Sequence, residues 1–139
     1  MTIEALVIEG VETAGPSATA ESLALRMREV GIGSIVIEED MEPIGVVTDR
    51  DLAMRVDSTD REASSVTAEE IMTPDPVTID VGAGLLDLTA RMRDHAVRRM
   101  PVTRDDKLVG IVTLDDLVQL LATELSNLAA VIEAESPPY

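Results

Sequence analysis

The sequence predicts an α+β protein built from two copies of one small unit and ending in a long helix. Three observations carry this prediction: a length of 139 residues, an internal repeat at an offset of 65 residues, and hydrophobic periods that recur in the same order in both copies. With 45% hydrophobic residues the chain can bury a core, and its length excludes a large multidomain enzyme.

The repeat sets the predicted organisation of the chain. Residues 17–52 align with residues 82–117 without a gap, and 11 of the 36 positions are identical. With the composition of the intervening segment, this predicts a first unit at residues 1–60, a linker at 61–72, a second unit at 73–124, and a C-terminal helix extension and tail at 125–139.

Each unit is predicted to begin with a short extended segment and an amphipathic helix. The extended segments end near Thr13 and Thr78. Apolar residues at helical spacing then follow, Leu23, Met27 and Val30 in the first copy and Leu85, Leu88, Met92 and Ala96 in the second.

Two strands and a second helix complete each unit. The strands are predicted at 34–37 and 44–47 in the first copy and at 99–102 and 108–112 in the second, each pair joined by an acidic turn. The second helix begins directly after the second strand, at Thr48 or Thr113.

The connection between the units is polar, and it contains a further helix signal. Thr67-Ala68-Glu69-Glu70 has the spacing of a capping box that opens one helical turn. Pro74 and Pro76 then favour an extended segment leading into the second unit.

The C-terminal helix is predicted from Asp115 to about Glu135, with an apolar stripe along it formed by Leu117, Leu121, Leu125, Leu128 and Ile132. This stripe is longer than one small unit can cover, so we expect it to pack on a partner. Residues 136–139, Ser-Pro-Pro-Tyr, form a tail.

The charge balance excludes several classes of partner. Asp and Glu outnumber Lys and Arg by 27 to 11, a formal charge of −16, which disfavours binding to nucleic acid or to an anionic membrane. No uninterrupted apolar run reaches the ~18 residues of a membrane helix and no secretion signal opens the chain, so a cytoplasmic location is expected. Surplus acids with a single lysine favour a halophilic protein over a merely acidic one.

The residue inventory also limits catalysis. The chain has no cysteine and one histidine, which excludes disulfides, thiol catalysis and thiolate metal sites. It has no phosphate-binding P-loop or dinucleotide fingerprint, and no nucleophile–base pair can be assembled. We therefore expect no enzymatic activity and no metal site.

One motif recurs where each second strand meets its helix: Gly-apolar-apolar-Thr-x-x-Asp, from Gly45 to Asp51 and from Gly110 to Asp116. Thr at the N-cap and Asp at N3 stabilise a helix start by about 1 kcal/mol without any ligand. The same arrangement can hold a ribose phosphate, with amides and the Thr hydroxyl facing the phosphate and the carboxylate accepting from the ribose. The residues alone leave both interpretations open.

A cationic segment lies within the second unit. Residues 91–107 carry six of the eleven Lys and Arg residues and only three acids. The segment is either a phosphate-tolerant surface or an ion-pair face. Arg98 and Arg99 are its best candidates for ligand contact because they directly precede Met100-Pro101-Val102.

Together these residues resemble a tandem pair of CBS domains, the Bateman module, of the stand-alone archaeal type. The resemblance rests on Gly-Val-Val-Thr-Asp-Arg-Asp-Leu at 45–52, Val-Arg-Arg-Met-Pro-Val at 97–102, Gly-Ile-Val-Thr-Leu-Asp-Asp-Leu at 110–117 and Met-Thr-Pro at 72–74. It covers nearly the whole chain.

The resemblance implies two β-α-β-β-α units packed with pseudo-two-fold symmetry, clefts between them for an adenine nucleotide (AMP, ADP, ATP or S-adenosylmethionine), and a disc-like homodimer. It also implies roles for individual residues. Asp51 and Asp116 would hold the ribose, and Thr48, Thr113, Arg98, Arg99 and Arg50 the phosphate or ribose. The expected cleft lining is Thr13, Thr78, Gly45, Gly110, Ile35, Met100 and Pro101. Whether Mg²⁺ accompanies the ligand stays open.

The two clefts are not expected to be equivalent, because Gly33 and Ser34 occupy the positions that Arg98 and Arg99 occupy in the second copy. The function that follows is a non-enzymatic sensor that binds a nucleotide and signals to an effector protein by a conformational shift. The alternative is a dimeric scaffold that binds no ligand, in which the repeated motif only caps helices.

Overall fold

The structure is a computed structural model, and it describes residues 2–135. Two small β-sheets, each covered by helices, form the two predicted units, so the α+β prediction is confirmed. The first unit contains β1 (Thr13–Ala14), α1 (Ala20–Val30), β2 (Ser34–Glu39), β3 (Glu42–Thr48) and α2 (Asp49–Leu52), whose last turn widens into a π-helix at Ala53–Asp57. A 3₁₀ turn (Ala63–Ser65), α3 (Ala68–Ile71) and β4 (Thr73–Pro74) follow. The second unit contains β5 (Ile79–Asp80), α4 (Leu85–His95), β6 (Arg99–Arg104), β7 (Lys107–Thr113) and α5 (Leu114–Glu135).

Both units use the same strand pairing. In the first, β1 lies parallel to β2, and β2 pairs antiparallel with β3; β5, β6 and β7 repeat this arrangement in the second. The acidic turns between paired strands need left-handed backbone, which Asp40, Met41, Asp105 and Asp106 adopt with positive φ. Asp tolerates this conformation better than most residues, which fits an acidic hairpin in each copy.

The first helix of each unit ends where the backbone turns left-handed. Thr19 caps α1 by accepting a hydrogen bond from the Ser22 N–H at 3.1 Å, and α1 stops at Gly31, whose φ is 77°. Ala96 adopts the same conformation, with φ 53°, and ends α4. Ala96 is therefore not part of the helical stripe in which its spacing placed it.

The two units complete each other's sheets by exchanging the segments that precede them. β4, which leads into the second unit, pairs with β3 of the first, where Thr73 lies opposite Val46. The N-terminal segment pairs with β7 of the second unit, where Ile8 and Ile111 exchange hydrogen bonds of 2.9 and 3.1 Å. Each pair maps onto the other by the offset of 65, so the exchange obeys the pseudo-two-fold symmetry.

Two apolar cores follow from this exchange. Val66, Ala68 and Ile71, from the segment assigned to the linker, are buried with Leu23 of α1 in the first core. Ile3, at the start of the chain, is fully buried in the second core beside Leu88. The boundaries of the units along the sequence stay a prediction, while in space each core takes residues from both parts of the chain.

Helix α5 leaves the second unit soon after it begins. Leu117 is buried in the second core, but the apolar residues after it are largely exposed. By length and mean hydropathy, which reaches 1.3 over 18 residues, α5 would also qualify as a helix that crosses a membrane. A count of uninterrupted apolar residues misses it because polar side chains such as Ser126 and Asn127 interrupt the run. The predicted tail at 136–139 lies outside the described residues.

Candidate nucleotide clefts

Two clefts lie between the sheets of the two units, on opposite sides of the pseudo-two-fold axis. The first cleft has a volume of about 320 Å³. It is lined from the first unit by Ser34, Val36, Val46 and Thr48, from the connection by Thr73, Asp75, Pro76 and Val77, and from the second unit by Val97, Arg98, Arg99, Pro101 and Ile111.

The second cleft has a volume of about 380 Å³ and is the symmetry counterpart of the first. Its lining is Ile8, Gly10, Val11, Glu12, Val30, Gly31, Ile32, Gly33, Ser34, Val36, Arg99, Ile111 and Thr113. At the offset of 65, Thr48 of the first cleft corresponds to Thr113 of the second, and Arg98 of the first corresponds to Gly33 of the second. Four residues, Ser34, Val36, Arg99 and Ile111, line both clefts, which therefore adjoin each other.

The repeated Thr and Asp residues meet at the helix starts, as predicted. In the first unit the Asp51 N–H donates to Thr48 Oγ1 at 3.2 Å, and the Thr48 N–H donates to Asp51 Oδ2 at 2.9 Å, a complete capping box. In the second unit the Asp116 N–H donates to Thr113 Oγ1 at 3.2 Å, and the Thr113 hydroxyl donates to Asp116 Oδ2 at 2.9 Å. Each Thr lines its own cleft.

The two motif aspartates sit behind these threonines rather than on the cleft lining. Both side chains are half-buried. In each, the cap engages Oδ2, while Oδ1 of Asp51 lies 3.8 Å from Arg55 Nε. The cap therefore leaves the second carboxylate oxygen able to accept a further hydrogen bond.

The cationic segment is mostly an ion-pair face, with one exception at the clefts. Four of its six cations pair with a carboxylate at 3.0 to 3.4 Å, in the pairs Arg93–Asp94, Arg98–Asp115, Arg104–Glu4 and Lys107–Glu42. Within residues 2–135, Arg99 has no carboxylate within 4.0 Å, and it lines both clefts. Arg98 lines only the first, and its pair with Asp115 is exposed on both sides, at 74% and 77%.

Several predicted lining residues lie elsewhere. Ile35 and Met100 have no exposed surface and belong to the two cores. Successive side chains of a strand point to opposite faces, so their neighbours Val36 and Pro101 face the cleft instead. The prediction named both Met100 and Pro101, although this alternation allows only one of them.

The remaining predicted residues line neither cleft. Gly45 and Gly110 are buried under the exchanged segments. The Thr13 hydroxyl donates to Glu38 Oε1 at 3.4 Å, and Thr78 lines a separate polar hollow on the outside of the second unit. Arg50 is exposed on α2 and lines neither cleft.

Sequence reasoning missed most of the aliphatic lining, namely Val36, Val46, Val77, Val97 and Ile111. Strand alternation counted from Pro101 and carried across by the offset of 65 would have found Val36. Val77 could not be found in this way, because it lies in an irregular segment without a period. In the part of the chain that the structure describes, no group of three or more His, Asp or Glu residues is placed to hold a metal ion.

Comparison with known proteins identifies the repeated unit. A family model of the CBS domain matches residues 3–58 and 68–123. An uncharacterized protein of Methanopyrus kandleri is 40% identical over 112 residues, which cover 79% of this chain and 57% of that protein. The chain thus spans only 57% and 64% of the length of the two curated relatives that are 40% identical to it.

Solved structures share the fold over most of the chain. A crystal structure of hypoxic response protein I with two coordinated zinc ions has a TM-score of 0.77 at 31% identity and covers 86% of this chain and 98% of its own. CBSX2 in complex with AMP has a TM-score of 0.76 at 21% identity, over 88% of this chain and 97% of its own. At that identity the second likeness shows the fold alone.

Proposed function

Because this chain belongs to the CBS-domain family, we propose that it is a regulatory module that binds an adenine nucleotide between its two units. Tandem CBS pairs are in general regulatory modules that bind nucleotides. The observation that carries the proposal for this chain is Arg99, a guanidinium without a carboxylate partner among the described residues, placed at both clefts of a protein with a net charge of −16. Such a cation attracts an anionic ligand where the rest of the surface repels one.

The lining of the first cleft matches the parts of an adenine nucleotide. Aliphatic side chains such as Val36, Val46 and Ile111 offer an apolar slot for a flat base. Arg98 and Arg99 stand at the same cleft for the phosphate, and guanidinium groups bind phosphate through paired hydrogen bonds. The volume of about 320 Å³ lies in the range of small-molecule sites.

Thr48 and Asp51 are assigned to the ribose edge in this proposal. Thr48 lines the cleft, and Asp51 keeps Oδ1 outside the cap, so the carboxylate can accept from a ribose hydroxyl without breaking the helix start. Thr113 and Asp116 offer the same arrangement at the second cleft. The AMP complex of CBSX2, which has the same fold, supports an adenine ligand here.

In this proposal, the regulatory effect of ligand binding is exerted on other proteins. We expect a disc-like homodimer in the cytoplasm whose units shift in relative angle when the ligand favours one packing, and an effector protein that recognises this shift. The chain itself is proposed to have no catalytic role. Whether AMP, ADP, ATP or S-adenosylmethionine is the ligand, and whether Mg²⁺ accompanies it, is for titration to decide. A halophilic origin also stays a prediction, and the titration should include molar salt.

Calorimetric titration of the wild type, Asp51→Asn and Asp116→Asn tests the site. We expect at least one of the four ligands to bind saturably, and a motif variant to weaken binding by about tenfold because it loses one charge-assisted hydrogen bond. Asp60→Asn, an exposed change outside the clefts, is the matched control. Equal binding by all four proteins would overturn the assignment of these aspartates.

A scaffold without a ligand is the second candidate, and two observations favour it. The capping box accounts for the repeated Thr and Asp residues without any nucleotide, and α5 exposes an apolar face. A folded, dimeric protein that binds none of the four ligands would establish the scaffold instead.

A further inference from the structure

The part of α5 beyond the second unit presents one continuous apolar face. Val118, Leu121, Leu125, Leu128 and Ile132 follow at alternating intervals of three and four residues, and Leu125 is 67% exposed. This spacing is the heptad pattern of a two-stranded coiled coil, whose seven positions are lettered a to g. Val118, Leu125 and Ile132 take heptad position a, and Leu121 and Leu128 take heptad position d. A single helix cannot bury such a face.

The flanks of this face allow a close neighbour. Ala122 and Ala129 occupy the e positions beside it, where small side chains let a second helix approach. The opposite side of the helix carries the polar residues Gln119, Thr123, Ser126 and Asn127, interrupted by Leu120 and Ala130. A helix that is apolar along one stripe and polar behind it is built to face another helix, whereas a membrane-spanning helix is apolar all round.

The charges of α5 also disfavour a lipid partner. The helix carries Asp115, Asp116, Glu124, Glu133 and Glu135 and has no Lys or Arg. Helices that lie on or cross membranes carry basic residues at their ends or on their polar face, where they meet anionic lipid.

We propose that α5 pairs in parallel with the α5 of a second copy of this chain, as a short two-stranded coiled coil. Each exposed apolar side chain of the stripe loses on the order of 100 Å² on burial, so two copies together approach the ~1,000 Å² that a specific interface needs. A partner without an equal stripe would bury less. In a parallel pair the g-position Glu124 lies opposite the e-position Ala129 of the second copy and meets no carboxylate there. The inference specifies a contact of the proposed homodimer, and it is independent of nucleotide binding.

The absence of cysteine makes the test direct, because any introduced cysteine is unique in the chain. In a parallel pair two d positions at the same height face each other, so Leu128→Cys should form a disulfide-linked dimer in most molecules under mild oxidation. Asn127→Cys, on the polar side of the same turn, is the matched control and should cross-link in only a small minority.

A second set of variants shows whether the stripe drives the pairing. Leu121→Glu with Leu125→Glu, added to Leu128→Cys, should abolish the cross-link, whereas Gln119→Glu with Thr123→Glu on the polar side should preserve it. These positions are not in either core, so the unfolding transition reports that the units stay folded. Equal cross-linking of Leu128→Cys and Asn127→Cys would overturn the proposal. So would flotation of the wild type with lipid vesicles together with a Leu128→Cys variant that forms no cross-link. Nucleotide titration of the same variants is a separate readout, so failure of the nucleotide proposal leaves this result unaffected.

Discussion

The two clefts share one backbone and differ in the side chains that line them. Thr48 and Thr113 each accept the N–H of the motif aspartate at 3.2 Å, and the exchanged segments pair at equivalent positions, Thr73 with Val46 and Ile8 with Ile111. The first cleft nevertheless has Arg98 where the second has Gly33. The two copies thus share what holds each unit together, while residues that line the clefts differ.

The difference is one of charge. Arg98 and Arg99 line the first cleft together with Asp75, whereas Arg99 lines the second together with Glu12, and Glu12 Oε2 is itself 3.7 Å from Arg26 Nε. We therefore expect the first cleft to bind an anion more tightly than the second. The symmetry also makes each unit a control for the other, because the same substitution can be placed in both.

The largest effect is expected where the exchanged segments cross the glycines of the motif. A Cβ at Gly110 would lie 2.3 Å from Val7 Cγ1 and 2.6 Å from the Ile8 carbonyl oxygen, and backbone cannot move aside cheaply. At Gly45 the nearest atom, at 2.4 Å, is the sulfur of the flexible Met72 side chain. We expect Gly110→Ala to lower the free energy of unfolding by about 3 kcal/mol and Gly45→Ala by about 1 kcal/mol, measured by urea denaturation.

Gly15→Ala is the control for this pair, because a Cβ at Gly15 meets no atom within 4 Å and its φ is not positive. It should leave the free energy of unfolding nearly unchanged. If Gly45→Ala and Gly110→Ala lower the free energy of unfolding equally, this would contradict the difference between the two contacts.

The next effect concerns ligand affinity. Arg98→Gly with Arg99→Ser gives the first cleft the residues of the second, and we expect nucleotide binding to weaken by about tenfold to a hundredfold, since exposed guanidiniums lose part of their strength to solvent. Titration calorimetry measures this. Arg91→Ser with Arg93→Ser makes the same change in net charge away from both clefts and should have little effect. A similar loss in both double variants would assign the effect to overall charge rather than to the cleft.

A smaller effect on ligand affinity should come from Asp115, which forms an ion pair with Arg98. Asp115 Oδ1 lies 3.0 Å from Arg98 Nη2 and competes with a phosphate for it. Asp115→Asn should tighten nucleotide binding by about twofold to fivefold, the value of one exposed ion pair. Asp94→Asn, which releases Arg93 outside the clefts, is the control. Unchanged or weaker binding by Asp115→Asn would remove Arg98 from the phosphate site.

Local signals made much of this architecture predictable. Strand and helix positions follow from apolar periods, and the caps at Thr48, Thr67 and Thr113 follow from spacing within one turn. The exchange of segments could not be predicted, because Ile3 in the second core is far from its neighbours in sequence and no local period marks that contact. The cleft lining was predicted only in part, since a motif match identifies a strand but not which of its faces is buried.

The smallest effect also contrasts the two units, at the segments they exchange. Glu70 completes the cap of α3, accepting from the Thr67 N–H at 2.9 Å and from Arg61 at 3.2 Å, whereas its symmetry counterpart is Ala5. The Thr67 N–H and then Arg61 hold the pKa of Glu70 below its usual value.

A lowered pKa in the folded state adds stability above the unfolded pKa, near 4.5, and this stability is lost as the pH falls through the folded value. The difference in unfolding free energy between wild type and Glu70→Gln should therefore be small and constant near neutral pH and should shrink below about pH 4.5. Urea denaturation repeated from pH 7 to 3.5 measures this difference. For Glu69→Gln, a change outside this cap, the difference in unfolding free energy from wild type should not shrink at acid pH. If the difference between wild type and Glu70→Gln stays constant over that range, the role of the Glu70 carboxylate is contradicted.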